Sequence, residues 1–212
     1  SGAIGEVVRN ILTDFMLNVK NPPKGLTPAK GDGSADDTEA IQGCINYARD
    51  NGGKAVYFPS GVYLTQPLVL YDNVTLFGFD SNTTRLVLRG GATKAMVTGE
   101  CNGVTIKGLT FDGNMDIQVN NLDLIVLKGK DYLFTDLRLT DGYDLLNIDI
   151  NGNCIVNTVI FDKAVRNGFV TKGVGNLLVD NIIFNHLSTL NGNRCIITSV
   201  DNSVFENVYS LA

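Results

Sequence analysis

The chain has 212 residues with 22 acidic against 17 basic side chains, a net charge of −5, a length that suits one or two globular domains. Its 44% hydrophobic content excludes a disordered tail, the lack of an apolar run of ~18 residues excludes a membrane-spanning helix, and net acidity without a basic cluster argues against nucleic acid. Gly and Asn contribute 23 residues each, and 18 of the acids are Asp, a bias toward turns over helix faces.

Residues 1–23 read as an amphipathic helix and linker. Ile4, Val8, Ile11, Phe15 and Val19 form one apolar stripe over 4–19, which fits a helix packed on its own domain or a self-associating one, and Asn21-Pro22-Pro23 stops it. No basic start, long apolar core or small-residue cleavage site marks a secretory signal. Residues 24–95 hold a second helix, 36–51, and short strands around Pro59-Ser60-Gly61. Asp36 and Glu39 fit a capping box, Ala40, Ile41, Cys44, Ile45 and Ala48 make its apolar face, and Asn51-Gly52-Gly53 ends it. Capping accounts for Asp32, Asp36 and Asp37 better than a metal site does. Cys44, Cys101, Cys154 and Cys195 lie far apart with no CxxC pair, and read as buried free thiols.

From residue 96 the sequence repeats. Five sixteen-residue blocks (96–111, 124–139, 146–161, 169–184, 195–210) align without a gap, separated by 12, 6, 7 and 10 residues. The period of 22 to 28 residues belongs to coiled repeat architectures. Block position 13 reads Gly108, Asp136, Thr158, Asn181 and Asn207, residues that, Thr158 apart, tolerate the positive φ of a sharp bend. Leu109, Leu137, Val159, Ile182 and Val208 follow, then Phe111, Leu139, Phe161 and Phe184 two further on; stacked one coil apart, they would lie ~4.8 Å from one another. This is the logic of an all-β solenoid, a right-handed single-stranded parallel β-helix. The Leu-x-x-Leu-x-Leu signature of leucine-rich repeats is missing. The columns 97/125/170/196 and 133/155/178/204 are expected to face outward by alternation, yet they are apolar. Cover by a helix or loop, or self-association as a homotrimer, would explain them. The last block closes two residues before Ala212 without a cap, so the 96–212 repeats are expected to continue in a longer protein.

Asp112, Asp141 and Asp162 open successive inter-block loops, with Asn185-His186 at the next and Asp116 and Asp144 nearby. Stacking would set neighbouring carboxylates ~5 Å and alternate ones ~10 Å apart, bracketing retaining and inverting glycosidases and splitting their pKa values. Asp112, Asp141, Asp162 and Asp144 are therefore the catalytic candidates, and turn capping is their competing explanation. Arg138, Arg166 and Arg194, with Lys163, suit phosphate or carboxylate groups of a polymer, and His186 is a further ligand or base candidate. Asp112–Asp116 with Asp123 at the twelfth position has calcium-like spacing but lacks the sixth-position Gly and the final Glu, so no metal or other cofactor is assigned.

The segment 29–64, AKGDGSADDTEAIQGCINYARDNGGKAVYFPSGVYL, resembles the N-terminal signature of the pectate-lyase-like β-helix superfamily: Gly-Asp-Gly, Asp-Asp-Thr-x-Ala-Ile-Gln entering a capping helix, a Gly pair, and Tyr-Phe-Pro-x-Gly-x-Tyr. With the repeats, the likeness covers about 180 residues. It is specific for fold and poor for activity, since members include lyases, polygalacturonases, epimerases and depolymerases. The N-terminal helix and apolar columns look most like the phage tailspike branch, in particular the pre-neck appendages of phi29-like phages. That resemblance implies a virion appendage at the host surface. It would bind and degrade a cell-wall glycopolymer such as teichoic acid, as a homotrimer alongside other tail or neck proteins. A binding-only appendage and a secreted bacterial polysaccharide lyase or epimerase are the alternatives. The polygalacturonase Gly-His-Gly is absent, and His186 is the sole histidine.

Overall fold

Every strand pairing among the described residues is parallel, and the pairs recur once per repeat, so the chain winds into a right-handed parallel β-helix of about seven turns. The computed structural model describes residue 4 and residues 15–186, 195–198 and 200–211. No helix among them is long and apolar enough to cross a membrane.

Each coil contributes to three faces. Face 1 contains β5 (Leu68–Val69), β8 (Val97–Glu100), β10 (Ile125–Gly129), two segments of β11 (Tyr132–Asn185) and β12 (Cys195–Thr198). Face 2 contains β1 (Met16–Asn18), β3 (Ala55–Phe58), β6 (Thr75–Gly78) and the first halves of β9 (Thr105–Asp112) and β13 (Asn202–Ser210), with β11 between them. Face 3 contains β2 (Asp32–Asp36), β4 (Gly61–Thr65), β7 (Thr84–Leu88) and the second halves of the same long strands. β11 is one extended run that bends wherever φ turns positive.

The bend between faces 2 and 3 is the column read from sequence. Gly108, Asp136, Thr158, Asn181 and Asn207 have φ of 67°, 50°, 56°, 51° and 49°. A second bend, leaving face 3, carries Asp141, Lys163 and His186 at 54°, 50° and 47°. Inside, Phe111, Leu139, Phe161 and Phe184 are buried, and the Phe161 and Phe184 rings stack at 5.0 Å. The helix α1 (Thr38–Asp50) packs Ala40, Ile41, Cys44, Ile45 and Ala48 inward as expected. Gly53 then passes so close to Asn73 that a Cβ would meet its carbonyl oxygen at 2.6 Å, a contact only glycine permits. The cysteines are unpaired.

Four expectations need correction. Met16–Asn18 is a strand registered on Ala55–Tyr57, because the sheet edge offers backbone partners that a helical turn there would leave unpaired. The rest of the proposed helix 4–19, Phe15 and Val19 apart, lies outside the described residues except Ile4. The capping box does not close: Asp36 accepts from the Thr38 amide at 3.0 Å, but Glu39 meets the Thr27 hydroxyl. Asp37 turns away to accept the Lys30 and Gly31 amides at 2.7 and 2.9 Å, fixing the loop before β2. Asp32 likewise serves its own turn, accepting from Ser34 and Ala35. Finally, Val97 and Ile125 point into the core rather than outward. Three successive face-1 strands are entered by two buried residues (Met96-Val97, Leu124-Ile125, Leu145-Leu146), which shifts the alternation by one. The column Ile155, Leu178 and Val204 is exposed as expected.

Candidate functional site

The loops from face 3 to face 1 vary in length, and they deliver polar residues to the edge of face 1. Ile125 pairs with Leu146, a spacing one residue shorter than the gapless repeat alignment. That slip places Asp123, Asp144 and Asn167 in successive coils just ahead of the strands. Their contacts follow the stack. Asp123 accepts from the Asp144 amide at 3.1 Å and from Asn147 Nδ2 at 3.2 Å, and Asn167 Nδ2 donates to Asp144 Oδ1 at 2.8 Å.

Asp144 is fully buried. Arg166, one coil on, grips it with both ends of its fork, Nε to Oδ1 at 2.8 Å and Nη2 to Oδ2. The guanidinium also lies 4.3 Å from the centroid of the Tyr143 ring. A buried carboxylate is tolerated only with such bidentate, hydrogen-bonded compensation. The Asp144 contact holds Arg166 above its ordinary pKa, while its side chain stays 41% exposed. The pKa of Asp123 is also raised, which for a carboxyl disfavours the charged form. Burial raises its pKa first and the Asp144 charge adds to it, against opposing hydrogen bonds and Arg166. A carboxyl so placed holds its proton to higher pH than a free one and is a stronger base once ionised.

The column opens on a depression of about 400 Å³ lined by Asn147, Arg166, Asn167, Val170, Lys172 and Ile196. A neighbouring depression of about 510 Å³ shares Asn147 and Lys172 and extends to Lys128, Asp149 and Glu100. Together they run across the strands of face 1. Opposite charges alternate along the groove: Glu100 pairs in register with Lys128, Lys128 with Asp149, and Lys172 lies 3.8 Å from Asp149. Exposed cations and carboxamides along the groove suit an anionic chain laid along the solenoid, and Asp123 connects to it through its hydrogen bond with Asn147, which lines both depressions.

The other carboxylates read from sequence are placed differently. Asp112 registers with Thr140, not Asp141, so Asp141 is outside the column and instead makes the bend, 3.9 Å from Lys163. Asp112 and Asp162 are buried and bound by Arg85 and Arg138 respectively. Asp162 also meets His186 Nδ1 at 3.1 Å, so each of its oxygens has a side-chain partner. The calcium spacing does not make a ligand set. Asp112 is committed to Arg85 and the Asn114 amide, and Asp123 to Asp144 and Asn147. No metal-holding group of three His, Cys, Asp or Glu occurs among the described residues. Arg194 lies outside them. Sequence reasoning missed Asp123 as a titrating group and passed over Asn147, Asn167, Lys172 and Arg85. The available signal was a polar residue two positions ahead of three successive face-1 strand segments, hidden by the one-residue slip.

A parallel β-helix with a charged groove across its strands is a solenoid presenting an extended binding face. The chain belongs to the rhamnogalacturonase A/epimerase, pectate lyase-like family, whose model matches residues 27–210. It is 28% identical over 184 residues to alginate lyase 7 of Azotobacter vinelandii, covering 74% of this chain and 22% of that protein. It is 34% identical over 111 residues to mannuronan C5-epimerase AlgE6 of the same organism, covering 45% and 13%. In structure it resembles the A-module of mannuronan C-5 epimerase AlgE4 from Azotobacter vinelandii, with a TM-score of 0.68 at 21% identity over 92% of this chain and 68% of that one. The chain spans between 10% and 33% of the length of the curated relatives it matches. They support a carbohydrate-processing role at the level of the family.

Proposed function

We propose that this chain binds an acidic polysaccharide along face 1 and processes it at the Asp123–Asp144–Asn167 column. The observation that carries the reading is Arg166: locked by buried Asp144 yet half-exposed, beside Asp123, whose proton affinity is raised. In a uronan, lyase and epimerase chemistry begin alike, with removal of the proton next to the sugar carboxylate. Neutralising that carboxylate by a preorganised guanidinium stabilises the charge that develops, and proton movement is assigned to Asp123, which reaches the groove through Asn147. The relatives named for alginate and mannuronan chemistry support this substrate class. The same cations suit phosphodiesters, so a virion appendage acting on teichoic acid is a second reading, carried by the sequence resemblance and by this chemistry of Arg166 and Lys172.

The test incubates the chain with polymannuronate and with teichoic acid. Unsaturated ends seen by ultraviolet absorbance mark a lyase, deuterium uptake at C5 from D2O without cleavage marks an epimerase, and new phosphate-bearing ends mark the second reading. Asp123→Asn should lower turnover ~10²–10⁴-fold while binding is kept. Retention of the polymer without turnover would leave only a binding module, and full activity in Asp123→Asn would remove the site.

A further inference from the structure

Face 3 carries a cationic groove that the face-1 reading does not use. Arg85 registers with Thr110, and Thr110 with Arg138, so the two arginines share one outward column two coils apart, ~9.6 Å by strand spacing. Each is held from beneath by a buried aspartate of its own: Arg85 Nη2 by Asp112 and Arg138 Nη2 by Asp162. The guanidinium side chains are 48% and 45% exposed, their partners 6% and 2%. In both pairs the negative charge therefore lies inside and the positive one outside. One nitrogen of each fork is spent on its aspartate, and the others are left to face the groove. The depression measures about 320 Å³ and is bordered by Ser81, Asn82, Thr140, Lys163 and the Asp141 carboxylate, which Lys163 balances at 3.9 Å. The repetition argues against two unrelated surface ion pairs, because the same Arg-over-Asp unit recurs at a two-coil interval with a hydroxyl side chain between.

We propose that Arg85 and Arg138 form a second, non-catalytic site for an anionic glycan chain, taking two charged groups on alternate sugars. An extended (1→4)-linked chain advances by about one strand spacing per sugar. Alternate units then present their anions on the same side at the interval of the two arginines. Such a site would hold a long polymer on face 3 while a neighbouring stretch occupies face 1. It stands whether or not the groove on face 1 is catalytic.

The experiment follows the arginine side-chain NMR signals of the intact chain during titration with di- and tetrauronates and with a phosphodiester oligomer of matching length. The expected result is that Arg85 and Arg138 signals shift together with the tetramer and not with the dimer. A response to the phosphodiester alone assigns phosphate as the anion of the same site. Asn82→Glu, at an exposed rim position outside both ion pairs, should weaken this binding about tenfold while Arg166 titrates as before. Arg85 and Arg138 signals that ignore every oligomer, or an Asn82→Glu titration identical to wild type, would overturn the proposal. Failure of the face-1 reading appears separately, as an unresponsive Arg166.

Discussion

The hydroxyl of Thr158 accepts a hydrogen bond from Asn181 Nδ2 at 3.1 Å while its own backbone sits at φ 56°. The two residues occupy the same bend in successive coils, and a β-branched residue in the left-handed region is strained by about 1–2 kcal/mol. Asparagine, which the next two coils use there, tolerates that conformation and can itself accept from Asn181. Thr158→Asn should therefore stabilise the fold by about 1 kcal/mol, raising the melting temperature by ~2–4 °C in calorimetry.

That bend was legible in the sequence because its requirement is local: one residue, one φ. The buried Phe column was legible for the same reason, since alternation is set within a single strand. The functional edge was not. Arg166 meets Asp144 across 22 residues, Arg138 meets Asp162 across 24 and Arg85 meets Asp112 across 27, so each pairing depends on the length of a loop that no local signal fixes. The same uncertainty put Asp141 where Thr140 stands and turned Val97 and Ile125 outward. At the N-terminus a helical apolar spacing ran into Met16–Asn18, where pairing with β3 decides the conformation.

The raised pKa of Asp123, caused first by burial and then by Asp144, has a definite sign in stability. The folded chain binds that proton more tightly than the unfolded one, so this contribution is fully present below the unfolded pKa. It is lost as pH rises through the raised folded value. Asp123→Asn removes the titration. Urea melts across the acidic range should show wild type losing stability relative to the variant as pH increases through that window. A difference that is constant with pH would mean that Asp123 is not shifted in the folded chain.

Arg166 is expected to matter to folding as well as to substrate. Arg166→Ala leaves the buried Asp144 carboxylate with Asn167 as its remaining side-chain donor among the described residues, and stranding one partner of a buried pair costs about 3–5 kcal/mol. Replacing both partners, Asp144→Leu with Arg166→Leu, removes the stranded charge and should recover most of the loss, while abolishing retention on a polyuronate column. Urea denaturation of the two variants distinguishes this from a simple loss of packing, in which the double variant would be the less stable.

Thiol reactivity reports on the solenoid interior. Burial pushes the Cys154 thiol up to about 12 and the Cys44 thiol to the same value, and both are enclosed in the core. At neutral pH almost no thiolate forms, and the thiolate is the species that reacts. Cys154 lies within β11, so an alkylating reagent reaches it only when that run opens. Cys195, on β12, is partly exposed although its thiol is also raised to about 12 by burial. Alkylation followed by mass spectrometry should therefore label Cys195 first, with Cys154 and Cys44 modified only as urea unfolds the chain. Labelling of Cys154 in native buffer at the rate of Cys195 would mean that the coils around residues 132–185 separate without global unfolding, which their continuous parallel pairing opposes.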